Sequence, residues 1–402
     1  MIKKYLFHLT EINITGGTKS TLEICKGLIH EGHDVSIIIE RNVVLLAIPK
    51  GIMIYHLSKD KVDLIDVNNI IEVNTLKVEK SKLRKQLSDI YLFKYFYLWL
   101  KYIFELIKFP KKYIVMKAFL EKNKFDLVVS SNMYNNLEHL FYYKNKCKTV
   151  LSIRNSPHEV FSNRILPKLF TYQLYFRNIT CIGVSNDTTE EMQHYIDIKK
   201  TKLQTIYNPF DFNLIQSLLK EQIEEEMLKN KDYIITVGSL SNRKRVDLLL
   251  KVMLQLKDTN IHLVVIGDGP EKDKLNNYIN ENDLYRKVYL LGSKSNPFKY
   301  IANSKAFVLT SESEGLPRVL IESLICNTPI VSTNCPNGPR EILINNLSDF
   351  LIEIKNKNEY EIVNELTLKI RKIVENPPLI NQDDLSRFKH NKVIFKWIKL
   401  AE

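Results

Sequence analysis

From residue 233 onward the chain repeats one arrangement. YIITV, IHLVVIG, VYLLG, AFVLT and PIVST are short apolar runs, and stretches of helical spacing such as VDLLLKVMLQL at 246–256 separate them. Strands alternating with helices build a parallel sheet wound on both faces, because each parallel strand must be reached by a crossover long enough to be a helix. The first half reads in the same way. KYLFHLT (4–10) leads through a loop containing Gly16 and Gly17 into TLEICKGLIHEG, whose Leu22, Cys25, Leu28 and Ile29 share one helical face. Gly32 is a stop signal, and DVSIII (34–39) is a second buried strand. FDLVVSS, KTVLSI and ITCIGVS add further parallel strands before IYNPFD (206–211) interrupts the pattern with a proline turn.

At 402 residues the chain exceeds what a single core usually holds, about 250–300 residues. The predicted organisation is therefore α/β throughout: an N-terminal Rossmann-like domain over 1–208 and a second over 209–380, facing across a cleft. The tail DDLSRFKHNKVIFKWIKLAE reads as an amphipathic final helix within 381–402 that could pack back on the N-terminal domain. Open α/β sheets bind ligands at the carboxyl ends of their strands, so the cleft is the expected site.

Composition bounds the rest. Five scattered cysteines without ligand spacing imply free thiols and no zinc site. The chain has no apolar run long enough to cross a bilayer, and Glu11 interrupts the N-terminus before a signal peptide could form, so a cytoplasmic protein is expected. A net charge of +12 implies an anionic partner. The stretch 91–119 is dense in aromatic residues and lysine. It reads either as a peripheral membrane contact or as a helix buried on the sheet with its lysines reaching water.

The segment SESEGLPRVLIES (311–323) places Glu314 and Glu322 on either side of Gly-Leu-Pro, just after the apolar run AFVLT. Pro317 is expected at the first helical position. The backbone N–H groups of Gly315, Leu316 and the first turn then offer an anion site, which Gly315 opens to close approach. Carboxylates beside such a site would repel phosphate, so they are suited to hydroxyl groups of the same ligand. A ligand with hydroxyls on both sides of a diphosphate is a nucleotide sugar. The plainer reading is that both are solvated charges. Arg243, Lys244 and Arg245 follow the strand YIITV and would bring cations to the same edge, where they could hold a leaving diphosphate.

Taken in order, VGSLSNRKRVDLLL, VVIGDGPEKDKL, SESEGLPRVLIESL and STNCPNGPREIL resemble the C-terminal domain of retaining GT-B glycosyltransferases of family 4. The Gly16-Gly17 and Asn208-Pro209 segments fit the same family. The resemblance implies that Glu314 contacts the transferred sugar, Glu322 the nucleotide ribose and Lys244 the diphosphate, with Gly16 and Gly17 approaching from the other domain. It further implies a UDP-linked donor, a glycan acceptor, and activity that needs no metal or other cofactor, and the basic surface with the 91–119 segment suggests a polyprenyl-diphosphate-linked acceptor at a membrane. No nucleic-acid partner is implied.

The sequence departs from the family at three places. Ser239 stands where an arginine is common, and Arg243 or Arg245 is expected to replace it. The N-domain loop RNSPHE offers Arg154 or His158 where the family often has a sugar-contacting histidine. The segment NNLSDFLIEI lacks the usual glycine-rich turn. A competing reading is a non-catalytic basic protein that binds membrane or nucleic acid on a degenerate GT-B fold. The retained Glu314, Glu322 and Lys244 speak against it. A dinucleotide-dependent oxidoreductase is disfavoured because GxGxxG does not follow the first strand.

Overall fold

The computed structural model describes residues 1–66, 110–131, 142–143, 146–158, 179–195 and 201–402. The N-terminal sheet comprises β1 (Lys4–Leu9), β2 (Asp34–Ile39), β3 (Met53–Leu57), β4 (Val62–Ile65), β5 (Leu127–Ser130), β6 (Lys148–Ile153), β7 (Thr180–Gly183) and β8 (Lys202–Thr205), in the order β4-β3-β2-β1-β5-β6-β7-β8. The C-terminal sheet holds β9 (Tyr233–Val237), β10 (His262–Ile266), β11 (Val288–Gly292), β12 (Ala306–Leu309), β13 (Ile330–Thr333) and β14 (Leu351–Ile352), in the order β11-β10-β9-β12-β13-β14. Every pairing is parallel except β3 with β4, so the N-terminal sheet carries one antiparallel edge strand that the alternation of strand and helix did not predict. The architecture is GT-B: two parallel-sheet α/β domains in one chain.

The helices that position the site are α1 (Gly16–His30), α2 (Asn186–Met192), α3 (Val246–Gln255), α4 (Arg318–Ile325), α5 (Glu359–Glu375) and α6 (His390–Leu400). Two sequence expectations shift here. Gly16 and Gly17 are not a loop. They form the first turn of α1, which the Thr15 hydroxyl caps by accepting from Thr18 N. Pro317 is the residue before α4 and has extended backbone, so the helix begins one residue later, at Arg318. In NNLSDFLIEI, Asn345 takes a left-handed conformation (φ +54°), which asparagine tolerates well, and a 3-10 turn over Asn345–Phe350 replaces the glycine-rich one.

Period-two alternation divides β1 between two layers. Tyr5, Phe7 and Leu9 face α1, whereas Leu6 packs on the other side with Ile38, Met116, Phe119, Tyr142 and Tyr143. Most of the aromatic-basic stretch 91–119 lies outside the described residues. Its end, 110–119, is helical, with Met116 and Phe119 buried and Ile114 exposed.

Helix α6 closes the chain on the N-terminal domain, where Val393, Ile394, Trp397 and Leu400 join the core around Phe7 and Leu28. Fully burying an aliphatic or aromatic side chain contributes about 1.5–3 kcal/mol, enough for these residues to hold the helix far from its sequence neighbours. Gly27 makes the crossing possible: a Cβ there would stand 2.4 Å from His390 Nε2 and 2.5 Å from Ile394 Cδ1. The two interdomain chain crossings are themselves paired. Phe210 N donates to Phe388 O at 3.0 Å and His390 N to Phe210 O at 3.2 Å.

Candidate active site

Two loops at the carboxyl edge of the C-terminal sheet build the centre of the site. The loop after β9 carries Arg243 and Lys244 in a 3-10 turn, and the loop after β12 carries Glu314. They are tied together: the Thr310 hydroxyl bonds the carbonyls of Lys244 and Arg245, both at 2.9 Å, and Glu312 N donates to Arg243 O. Lys244 Nζ lies 2.6 Å from Glu314 Oε1, and Arg243 Nη1 lies 3.4 Å from Oε2 while also bonding the Ser313 carbonyl.

Glu314 is 9% exposed. Burial pushes its pKa up, but Lys244 and Arg243 outweigh burial and hold the carboxyl below the ordinary range. One ionised carboxylate with two cations leaves this cluster a net single positive charge. It can accept a hydroxyl and still attract an anion.

Arg245 is directed elsewhere. It bonds Asp247, Glu312 and Glu359, so it does not replace the arginine that Ser239 lacks. Arg243 is the member of the pair that reaches Glu314.

The second part of the site is formed between the domains. A Cβ on Gly16 would be 3.7 Å from Arg318 Cδ, and one on Gly17 would be 3.8 Å from Arg154 Cδ. Two arginine stems, one from each domain, therefore lie against the first turn of α1, where the helix dipole is also positive. Arg154 Nη1 bonds Asn208 Oδ1 at 2.7 Å, and burial together with the nearby Arg318 lowers its pKa to about 10. Arg318 bonds Ser20 Oγ at 2.9 Å, lies over the Phe210 ring and pairs with Glu322 at 3.3 Å.

The role expected of Gly315 is different in the structure. A Cβ there would meet the Arg154 carbonyl oxygen at 2.4 Å, so the close approach it permits is that of the other domain's backbone. Leu316 is 6% exposed and packs into the C-terminal core. His158 is exposed, and Glu191 holds its backbone N–H at 2.8 Å. Among the described residues no group of three or more His, Cys, Asp or Glu is placed to hold a metal ion.

Residues 220–391 match the family described as glycosyl transferases group 1. The C-terminal domain is a group 1 glycosyl transferase domain. The chain is 32% identical over 215 residues to an uncharacterized glycosyltransferase of Methanocaldococcus jannaschii, covering 52% of this chain and 53% of that protein. It is 31% identical over 220 residues to the N-acetylgalactosamine-N,N'-diacetylbacillosaminyl-diphospho-undecaprenol 4-alpha-N-acetylgalactosaminyltransferase of Campylobacter jejuni, covering 54% and 59%. The chain thus spans about half the length of these curated relatives.

The solved structures extend the likeness over the whole fold. Anabaena HepE in complex with UDP and glucose superposes with a TM-score of 0.65 at 15% identity, over 99% of this chain and 98% of that one. A Staphylococcus aureus TarM variant in complex with fondaparinux, alpha-GlcNAc-glycerol and UDP gives 0.68 at 15% identity, over 100% of both chains. Sequence reasoning passed over Arg318 of the group 1 domain, although it stands one helical turn before Glu322 at the spacing of an ion pair. It also passed over Ser185, Asp187 and Glu341, whose partners lie in the opposite domain.

Proposed function

We propose that this chain is a retaining glycosyltransferase that moves a hexose or N-acetylhexosamine from a UDP-sugar to a sugar hydroxyl of a glycan acceptor. The observation that carries the reading is Glu314, a buried carboxylate kept ionised by Lys244 and Arg243 at the mouth between two α/β domains. The UDP in the complexes of HepE and TarM supports the donor class. The name of the Campylobacter relative supports a polyprenyl-diphosphate-linked acceptor. An acceptor of that kind would bring the protein to the inner face of a membrane, with 91–119 as the contact. No helix among the described residues is long and apolar enough to cross one.

In this reading Glu314 accepts hydroxyls of the transferred sugar and Glu322 those of the ribose. The C1–O bond breaks with both electrons leaving on the diphosphate, whose charge Lys244, Arg243 and the α1 dipole stabilise. The acceptor hydroxyl adds to the same face, and its proton passes to the departing phosphate oxygen. Because side chains supply the positive charge, transfer is expected to persist in EDTA. A strict requirement for Mn²⁺ would contradict this.

Thermal unfolding with UDP, GDP, ADP and NAD tests the donor. Ligand at about 100 times its Kd stabilises by about 2.7 kcal/mol. A shift with UDP that Glu322→Ala abolishes is expected, followed by transfer from labelled UDP-sugars. No shift with any nucleotide would refute the reading.

A further inference from the structure

The residue that follows Glu314 is held from the opposite domain. The Gly315 carbonyl accepts from Ser185 Oγ at 2.8 Å and lies 3.2 Å from Thr188 Oγ1, and both residues are fully buried. Ser185 caps α2, its Oγ also accepting from Thr188 N, and Thr188 stands in the first turn. On its other side Gly315 is closed by the Arg154 carbonyl.

A second C-terminal segment seals the same turn. Glu341 takes Asp187 N on Oε1 at 2.7 Å and Asn186 N on Oε2 at 2.9 Å, and Tyr207 OH donates to it at 3.0 Å. Asp187 reciprocates by accepting from Arg340 at 2.8–3.1 Å and from Gly338 N at 3.2 Å. Gly338 (φ +102°) lies so close to the 315–317 loop that a Cβ would be 2.6 Å from Pro317 Cδ and 3.3 Å from Gly315 O. The backbone N–H of Glu314 itself donates to Pro336 O. The 336–341 segment therefore packs on the Glu314 loop and on α2 together.

We infer that Ser185, Thr188 and Glu341 are positioning residues, which fix the Glu314 loop only when the two domains are closed. The inference rests on the reading of Glu314 as the sugar-binding carboxylate. The cations of the Glu314 cluster come from the C-terminal domain alone, so their share of nucleotide attraction does not need closure. The geometry of Gly315, one bond from Glu314, does. A buried carbonyl whose two hydroxyl partners leave with the other domain must either be solvated or turn, and a turned peptide beside Gly315 moves the carboxylate out of register.

The test uses the full chain with Ser185→Ala/Thr188→Val, Glu341→Gln and the conservative Ser185→Thr. Circular dichroism establishes that each is folded, and Arg340→Ala replaces any that is not. Donor kcat is expected to fall about tenfold to hundredfold in the first two while UDP affinity by calorimetry stays within about twofold, with Ser185→Thr restoring most of the rate. The radius of gyration from small-angle scattering should rise in the same variants. An unchanged kcat, or UDP affinity lost in parallel with it, would overturn the positioning role. A wild-type chain that neither binds UDP nor transfers sugar would refute the functional reading instead. The scattering comparison then decides the interdomain lock alone, and an unchanged radius would refute it.

Discussion

Lys244 Nζ lies 2.6 Å from Glu314 Oε1, and the carboxylate it meets is 9% exposed. The two residues belong to separate loops, which the Thr310 hydroxyl holds together. Removing the nearer cation from a buried cluster costs more than the contact contributes, because Glu314 then keeps only Arg243, at 3.4 Å, to compensate its charge. Lys244→Met is expected to destabilise by about 3 kcal/mol and to lower turnover by about 10²–10³. Adding Glu314→Gln should recover part of the stability and none of the rate. Denaturant unfolding and initial rates check this, and equal stability of the single and double variants would mean that the pair is uncoupled.

Gly315→Ala places a methyl group 2.4 Å from the Arg154 carbonyl, a backbone atom that no rotamer change can move aside. Overpacking of this kind costs about 1–3 kcal/mol, and here it falls on the interface between the domains. The expected result is a large loss of kcat with the domains still folded. Wild-type kinetics would show that this interface is not closed during turnover.

Gly27→Ala drives its Cβ into Ile394 and His390 where α6 crosses α1. A fall in Tm corresponding to about 1–3 kcal/mol is expected, because Trp397 and its neighbours are displaced from the core. Removal of α6 should be more damaging still. A Gly27→Ala variant as stable as wild type would show that α6 can shift without loss.

His390 gives this crossing a pH dependence. Burial lowers its pKa, outweighing the carboxylates of Glu23 and Asp211. The folded state therefore binds fewer protons than the unfolded state, whose histidine titrates at about 6.5. The stability is complete above that value and is lost as pH falls from it toward the lowered folded pKa. His262 is shifted the same way, so the decisive quantity is the slope of Tm between pH 7.5 and 5, which should be shallower in His390→Gln than in wild type. Identical slopes would exclude His390 as a source.

The strands from β9 to β13 and the site loops at their carboxyl ends were legible because they depend on short-range information. Apolar runs, helical spacing and Gly or Pro punctuation act within a few residues, and the loop after a parallel strand must open at the carboxyl edge whatever else the chain does. Glu314, Lys244 and Arg243 could be named on that basis, and they meet in the structure.

The turn at Arg245 and the contacts across the cleft were not legible. Arg245 follows Lys244 directly, yet its left-handed backbone turns it to Asp247, Glu312 and Glu359. Gly315 looked like room for a ligand and proved to be room for Arg154, while Glu341 finds its partners 155 and 154 residues away, on Asn186 and Asp187. Periodicity determines which residues face a core and where a strand ends. It carries no information about how two sheets are set against each other, and contacts between domains depend on that relative placement.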